Sequence, residues 1–143
     1  MKIAIVYWSG TGNTEAMAEA MAEGANKAGA EATLFQVGEF SKDSIDSYDG
    51  ILFGCPAMGN EVLEESEFEP FFTWVEDKLA DKPVGLFGSY GWGDGEWLRD
   101  WQERCQQAKA KVYGEGLMIN NVPDDEGLKE CQEFAGGFVE ENK

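Results

Sequence analysis

Hydrophobic residues occur along the chain in short continuous runs, separated by stretches in which they recur every three or four positions. The short runs predict five β-strands, at residues 2–8, 32–35, 50–55, 84–88 and 112–119. Three of the runs, IAIVYW, GILFGC and VGLFG, are almost wholly apolar, which is typical of strands covered on both faces. The helical spacing between and after the runs predicts four α-helices, over residues 14–28, 67–79, 95–109 and 124–140.

This alternation of strands and helices predicts an α/β fold in which a doubly wound parallel sheet carries helices on both faces. The 143 residues contain no linker, repeat or low-complexity segment, so we expect a single domain spanning 1–143. Ligands of such sheets bind beyond the carboxyl ends of the strands. The segments that follow the first, third and fourth strands are therefore the candidate site.

The first of these segments, SGTGNT at residues 9–14, joins a strand to a helix without any Lys or Arg. Its N–H groups, its hydroxyls and the helix dipole predict a site for a phosphate group held by neutral donors. No Gly-Lys-Ser/Thr follows, so the segment is not a Walker loop. Glu15 stands where the dinucleotide fingerprint needs its third glycine. A plain strand–helix turn with an N-cap serine or threonine is the alternative interpretation.

The other two segments combine flexible turns with large side chains. Met58-Gly59-Asn60 is a turn sequence whose methionine offers a polarizable surface to a flat ring, although a Met that fills a core gap is the commoner case. Residues 89–95, SYGWGDG, alternate glycines with two aromatic residues and an acid after a buried strand. Glycines let the backbone approach a ligand, and the rings favour a planar one.

Composition narrows the function classes. Twenty-eight acidic against eleven basic residues give a net charge of −17, which argues against nucleic-acid binding. The charge serves either solubility alone or the attraction of basic partner proteins. Histidine is absent and the three cysteines are widely spaced, so a metal site or His-based catalysis is not expected. No run is long enough to span a membrane and no signal peptide is recognised, so we expect a cytoplasmic location.

Taken together, the three segments resemble those of the flavodoxins, in particular the short-chain flavodoxins of anaerobic bacteria. The resemblance is carried by residues 7–15, 57–61, 63–66 and 86–93 and extends over essentially the whole chain. It implies five strands in the order 2-1-3-4-5, with FMN bound at the switch point, an arrangement for which flavodoxin is itself the standard example. It also implies a monomeric, low-potential carrier of single electrons, whose FMN cycles between semiquinone and hydroquinone and whose redox partner proteins have basic docking surfaces.

The resemblance implies a role for each position of the three segments. The phosphate loop corresponds to Ser9, Gly10, Thr11, Gly12, Asn13 and Thr14. The inner flank of the flavin ring and the turn beside N5 and N3 correspond to Ala57, Met58, Gly59, Asn60 and Glu61. The outer flank of the flavin ring corresponds to Trp92, and the loop that carries it and meets the pyrimidine side corresponds to Ser89, Tyr90, Gly91 and Gly93. Asn60 stands where several relatives carry an acid.

Three other functions are weighed against an electron carrier. A response-regulator receiver needs acids after the first strand, where Ser9-Gly10 stand, and an aspartate at the end of the third strand, where Cys55-Pro56 stand, so it is excluded. A flavoenzyme that reduces quinones with NAD(P)H shares the fold, but the chain shows no extension for a nicotinamide. A domain cut from a larger flavoprotein is the third alternative, and the chain's own start and polar tail argue mildly against it.

Overall fold

The computed structural model describes residues 1–143, apart from the side chain of Lys42, and over these residues it contains six β-strands and four α-helices. The strands β1 to β6 are, in chain order, Lys2–Tyr7, Glu31–Gln36, Gly50–Gly54, Pro83–Tyr90, Lys111–Val112 and Leu117–Asn120. The helices α1 to α4 are Asn13–Lys27, Phe68–Val75, Glu96–Gln107 and Asp125–Asn142. The second helix is shorter than the predicted 67–79, because a 3₁₀ turn, Glu76–Lys78, replaces its last turn.

All strand pairs are parallel and the order is β2-β1-β3-β4-β5, which confirms the doubly wound sheet. The fifth position departs from the prediction of one strand at 112–119. It is filled by β5, beside the start of β4, and by β6, beside the end of β4. The break follows from Gly114, which has φ 51°, and from Tyr113, whose ring packs against Phe134 and Phe138 of α4.

The connection from β2 to β3 contains two 3₁₀ segments, Val37–Glu39 and Lys42–Ser47, in place of an α-helix. Lys82 stabilises the second segment, since its ammonium group donates to the carbonyls of Ile45 and Tyr48 at 3.2 and 2.7 Å.

Two different cores cover the two faces of the sheet. On one face, α1 and α4 approach so closely that a Cβ on Gly24 would lie 2.2 Å from the carbonyl oxygen of Gln132. On the other face, α2 and α3 pack through rings, with Trp101 edge-on to Phe68 at a centroid distance of 5.3 Å. The helices are thereby fixed on both sides of the sheet, and their first turns border the carboxyl ends of the strands.

The three cysteines belong to the buried interior of the protein. Cys55, Cys105 and Cys131 are all free and buried. Burial raises the pKa of the Cys105 and Cys131 thiols to about 12, and it raises that of Cys55 still further above its ordinary value. All three therefore remain protonated and unreactive at neutral pH.

Candidate functional site

Four chain segments meet at the carboxyl ends of the strands around a cleft of about 300 Å³. Three of them are the segments after β1, β3 and β4, and the fourth follows β6. The residues lining the cleft are Trp8, Gly10, Thr11, Asn13, Pro56, Ala57, Met58, Ser89, Tyr90, Gly91 and Asn121. The structure therefore brings the three predicted segments together at the predicted edge of the sheet.

The phosphate loop presents unpaired backbone donors at the start of α1. The Ser9 hydroxyl oxygen accepts from the N–H groups of Gly12 and Glu15 at 3.1 and 3.2 Å, and Gly12 has φ 95°, which starts the helix at the next residue. Within the described chain, N–H groups without a protein acceptor remain at Gly10, Thr11, Asn13 and Thr14. Unpaired donors at a helix N-terminus form a site for an anion.

Two of the predicted side chains bind each other. The hydroxyls of Thr14 and Ser89 lie 2.9 Å apart, and the Ser89 N–H donates to the Thr14 hydroxyl at 3.4 Å. Both residues are buried, with exposed fractions of 1% and 5%. The pair ties the phosphate loop to β4 and holds the Thr14 hydroxyl inside the fold.

The segment after β3 forms a tight hairpin. The Met58 N–H donates to the Val62 carbonyl at 2.9 Å, and the Glu61 N–H donates to the Met58 carbonyl at 2.7 Å. Glu61 has φ 52°, which is the left-handed residue expected at the end of a three-residue loop. Met58 lines the cleft, while Gly59 and Asn60 are exposed at the tip of the turn.

The carboxylate of Glu61 connects this turn to the segment after β4. One of its oxygens accepts from the N–H groups of Gly95 and Glu96, both at 3.0 Å, and so caps the start of α3. A Cβ on Gly93 would lie 2.5 Å from the Glu61 carboxyl carbon, so glycine is required there by the close approach as well as by its φ of 91°. Glu61 was predicted to lie beside the cofactor, and in this structure its carboxylate is bound to α3.

Glu64 fixes the chain on the far side of the turn. Its carboxylate accepts from the N–H groups of Ser66, Glu67 and Phe68 at 2.8 to 2.9 Å and from the Ser66 hydroxyl. Burial acts to raise the pKa of Glu64, but these hydrogen bonds outweigh it and the pKa lies below its ordinary value. The Glu64 N–H also donates to the sulfur of Cys55 at 3.4 Å, which returns the chain to the end of β3.

The predicted outer flank does not line the cleft. Trp92 is 64% exposed, and Gly93 beside it lies outside the lining as well. Tyr90 does line the cleft and packs against Trp97 at a centroid distance of 5.9 Å. The ring of Trp8 covers the phosphate loop, because a Cβ on Gly10 would lie 3.0 Å from it.

Three lining residues were not assigned a role from the sequence, namely Trp8, Pro56 and Asn121. Trp8 and Pro56 directly adjoin predicted segments, so their position alone could have indicated them. Asn121 belongs to the segment after β6. Its N–H donates to the Tyr90 carbonyl at 2.8 Å, and it has φ 58°. The sequence feature that could have indicated Asn121 is the Asn-Asn pair directly after the fifth predicted strand, because that strand neighbours β4.

The lining contains no charged side chain. The nearest acid along the loop is Glu15, whose carboxylate accepts from the Tyr7 hydroxyl at 3.0 Å. Burial and this carboxylate raise the pKa of Tyr7, so the phenol remains a donor. Among the described residues, no group of His, Cys, Asp or Glu side chains could hold a metal ion. The described helices likewise include none that is long and apolar enough to cross a bilayer.

Comparison with known proteins shows the family to which this chain belongs. A sequence profile described as Flavodoxin matches residues 5–134. A flavodoxin of Clostridium beijerinckii is 48% identical over 130 residues, covering 91% of this chain and 94% of that protein. A flavodoxin of Megasphaera elsdenii is 49% identical over 132 residues, covering 92% and 94%. The chain belongs to the flavodoxin family.

The structural comparison agrees with the sequence comparison. The solution structure of two-electron reduced Megasphaera elsdenii flavodoxin superposes with a TM-score of 0.85 at 48% identity, covering 94% of this chain and 98% of that one. Flavodoxins are small FMN-binding proteins that carry electrons and are not enzymes, and the same holds for this chain. The predicted fold, cofactor and electron-carrying function are thereby confirmed, and the quinone-reducing flavoenzyme is excluded.

Proposed function

We propose that the cleft at the carboxyl ends of β1, β3, β4 and β6 holds the FMN, with its phosphate on the loop at 9–14. The observation that carries this proposal is the row of N–H groups without a protein acceptor at Gly10, Thr11, Asn13 and Thr14. These donors and the α1 dipole, worth roughly half a positive charge, suit a 5′-phosphate. A loop that only anchors the phosphate needs no cation, because no charge develops on it.

When bound, FMN supplies one-electron transfer, and the chain decides how readily each electron is accepted. Met58, Tyr90 and Trp8 would provide the apolar surfaces toward the ring system. Trp92, the outer flank implied by the family resemblance, is largely exposed. Its side chain would therefore give up few contacts within the protein if it turned to stack on the flavin ring. The uncharged lining and the net charge of −17 would disfavour additional negative charge in the cleft, which supports a low-potential carrier.

The turn after Met58 would hold the proton at flavin N5. Gly59 does not have a left-handed φ, and a Cβ there would meet nothing within 4 Å. Neither the backbone conformation nor packing therefore requires a glycine in the turn as it stands. Its value would lie in letting the Gly59–Asn60 peptide reorient, so that the Gly59 carbonyl accepts a hydrogen bond from N5–H, a contact worth about 1 kcal/mol.

The electron partners would dock through basic surfaces, and the chain would act as a cytoplasmic monomer of one domain, 1–143. The net charge of −17 supports basic partners, because opposite charge speeds encounter at low salt. A monomer is supported by the small number of exposed large apolar side chains, which come from several different parts of the described chain. They are Leu34, Val62, Trp74, Trp92, Met118 and Val122.

Comparing FMN with riboflavin tests the assignment of the phosphate loop. The apoprotein should quench the fluorescence of one equivalent of FMN and bind it at least ~100-fold more tightly than riboflavin, since several charge-assisted hydrogen bonds are lost with the phosphate. Equal affinities for the two flavins would refute the assignment.

Carrier behaviour is checked on the same sample, which should consume almost no NADH or NADPH with a quinone unless a reductase is added.

A further inference from the structure

The outer edge of β6 carries backbone groups that no element of the fold uses. Among the described strands, β6 pairs with β4 alone. Residues of a parallel strand alternate in the neighbour to which their N–H and C=O groups point. The Asn121 N–H donates to the Tyr90 carbonyl, so Ile119 faces β4 by the same alternation, and Met118 and Asn120 face away. No other part of the described chain gives their backbone groups a partner.

A cleft lies on each side of this edge. The cleft toward α3 has a volume of about 570 Å³ and an apolar floor that includes Leu98 and Met118. The cleft toward α4 has a volume of about 290 Å³ and is lined in part by Ile119 and Val122, with Met118 common to both. Successive side chains of an extended segment point to opposite faces, so a strand laid beside β6 would place alternate side chains in the two clefts.

The charges around both clefts are nearly all negative. The carboxylates lining them are those of Asp94, Glu103, Glu115, Asp124, Glu126 and Glu130. Arg99 is the cation among the lining residues, and its guanidinium already binds Asp94 at 3.0 Å. A lysine or arginine would complement both clefts. In the cleft toward α3, the aliphatic part of such a side chain would lie along Leu98, and its charged end would reach the carboxylates that line this cleft.

We propose that β6 is a docking edge for an extended segment, rich in Lys or Arg, of a redox partner, which adds to the sheet as one more strand. This rests on the proposed function, because it gives the basic partner of the electron carrier a place to bind. The edge adjoins the cofactor cleft through Asn121 and Tyr90, which line that cleft and are hydrogen bonded to each other. A partner held there lies beside the residues that face the FMN.

Two peptides of equal charge, of which one cannot donate backbone hydrogen bonds along one edge, distinguish strand addition from simple charge attraction. The FMN-loaded, ¹⁵N-labelled protein is titrated with capped Lys-Lys-Val-Arg-Lys-Leu, which presents cations on both faces of an extended strand. It is also titrated with the same peptide N-methylated at alternate residues, which removes the donors along one edge but keeps the charge. We expect slowed hydrogen exchange at the Met118 and Asn120 amides, and at least tenfold weaker binding of the methylated peptide. Equal binding of the two peptides, or unchanged exchange at these amides, would overturn the proposal.

Two pairs of charge reversals locate the binding surface. Glu115→Lys with Glu130→Lys changes one acid at each cleft, and both residues are exposed. Glu19→Lys with Glu23→Lys makes the same charge change on exposed positions of α1 and serves as the control. Peptide binding should weaken about tenfold in the first variant and less than threefold in the second; equal weakening would overturn the proposal.

The same titration keeps this proposal separate from the proposed function. Failure of the unmodified protein to bind FMN would contradict the function itself. Absence of peptide-dependent protection at Met118 and Asn120 in protein that retains its FMN would overturn the docking edge alone.

Discussion

The two halves of the proposed cofactor site are built in different ways. The phosphate half consists of backbone N–H groups at the start of α1, which the Ser9 hydroxyl and the Thr14–Ser89 pair hold in place. The ring half depends on side chains and on turns that touch one another, and Trp92, its predicted outer flank, is 64% exposed. Affinity for FMN should therefore reside mainly in the first half, and the redox potentials should be set mainly in the second.

The strongest test of this division is a negative charge in the phosphate half. Thr11→Asp places a carboxylate beside the unpaired donors, where repulsion of the phosphate should cost about 3 kcal/mol, or more than 100-fold in FMN affinity. Riboflavin binding should change little, so the preference for FMN over riboflavin disappears. Thr33→Asp, an equal charge change on exposed β2, is the control and should retain the preference. A preserved preference in the Thr11 variant would contradict the division.

Glu61→Ala removes the contact that joins the two turns of the ring half. The N–H groups of Gly95 and Glu96 lose their shared carboxylate acceptor, which should lower the free energy of unfolding of the apoprotein by about 2 kcal/mol. Glu61→Gln keeps an oxygen acceptor and should recover part of the loss. Urea unfolding measures both variants, and the preference for FMN over riboflavin should persist in each. An unchanged unfolding free energy in the alanine variant would show that this cap is dispensable.

Glu64→Gln tests the carboxylate that holds the chain after the turn, with an expected loss of about 1.5 kcal/mol at pH 7. The pKa of Glu64 is lowered from its ordinary 4.5 in the folded state, so its stabilisation is fully present above that value. It is lost as the pH falls through the lowered pKa. The difference in unfolding free energy between wild type and variant should therefore shrink below pH 4.5. A pH-independent difference would contradict the assigned role.

Gly59→Ala separates redox tuning from stability. Because a Cβ there meets nothing and the φ is not left-handed, the apoprotein should keep its unfolding free energy within about 0.5 kcal/mol. The hydrogen bond to N5–H would weaken, and the first one-electron potential should fall by ~40 mV, equivalent to about 1 kcal/mol. Redox titration with both couples resolved measures this shift. An unchanged first potential would rule out the peptide reorientation.

Trp92→Ala should have the smallest effect and should confine it to the second potential. Loss of ring contact, worth about 0.5 kcal/mol, should raise that potential by ~20 mV, because an apolar surface that disfavours added charge is removed. The exposed indole contributes little to the unfolding free energy of the apoprotein. Trp74→Ala, a second exposed tryptophan at 52%, is the control and should leave both potentials unchanged. A fall in the second potential, or no change, would refute the stacking role.

The sequence predicted those features of the fold and of the site that depend on the local pattern of residues. Continuous apolar runs located β1, β3 and β4, and the order of elements then placed three of the four segments around the cleft. It did not predict the break of the fifth strand. Gly114 is visible in the sequence, but its φ of 51° and the packing of Tyr113 on α4 are known only from the structure. Nor did it predict that the Glu61 carboxylate caps α3, since nothing in either segment records that the two lie together.

The hydrogen bond between Thr14 and Ser89 joins residues 75 positions apart, so the phosphate loop acquires this contact only when β4 is in place. Closing a loop of that length costs about 4 kcal/mol of chain entropy, repaid only when β4 has joined the sheet. The helix that starts at the loop also packs against α4, where Gly24 meets Gln132. The phosphate loop precedes β4 in the chain, so the hydrogen bond between Thr14 and Ser89 can form only after β4 has been synthesised.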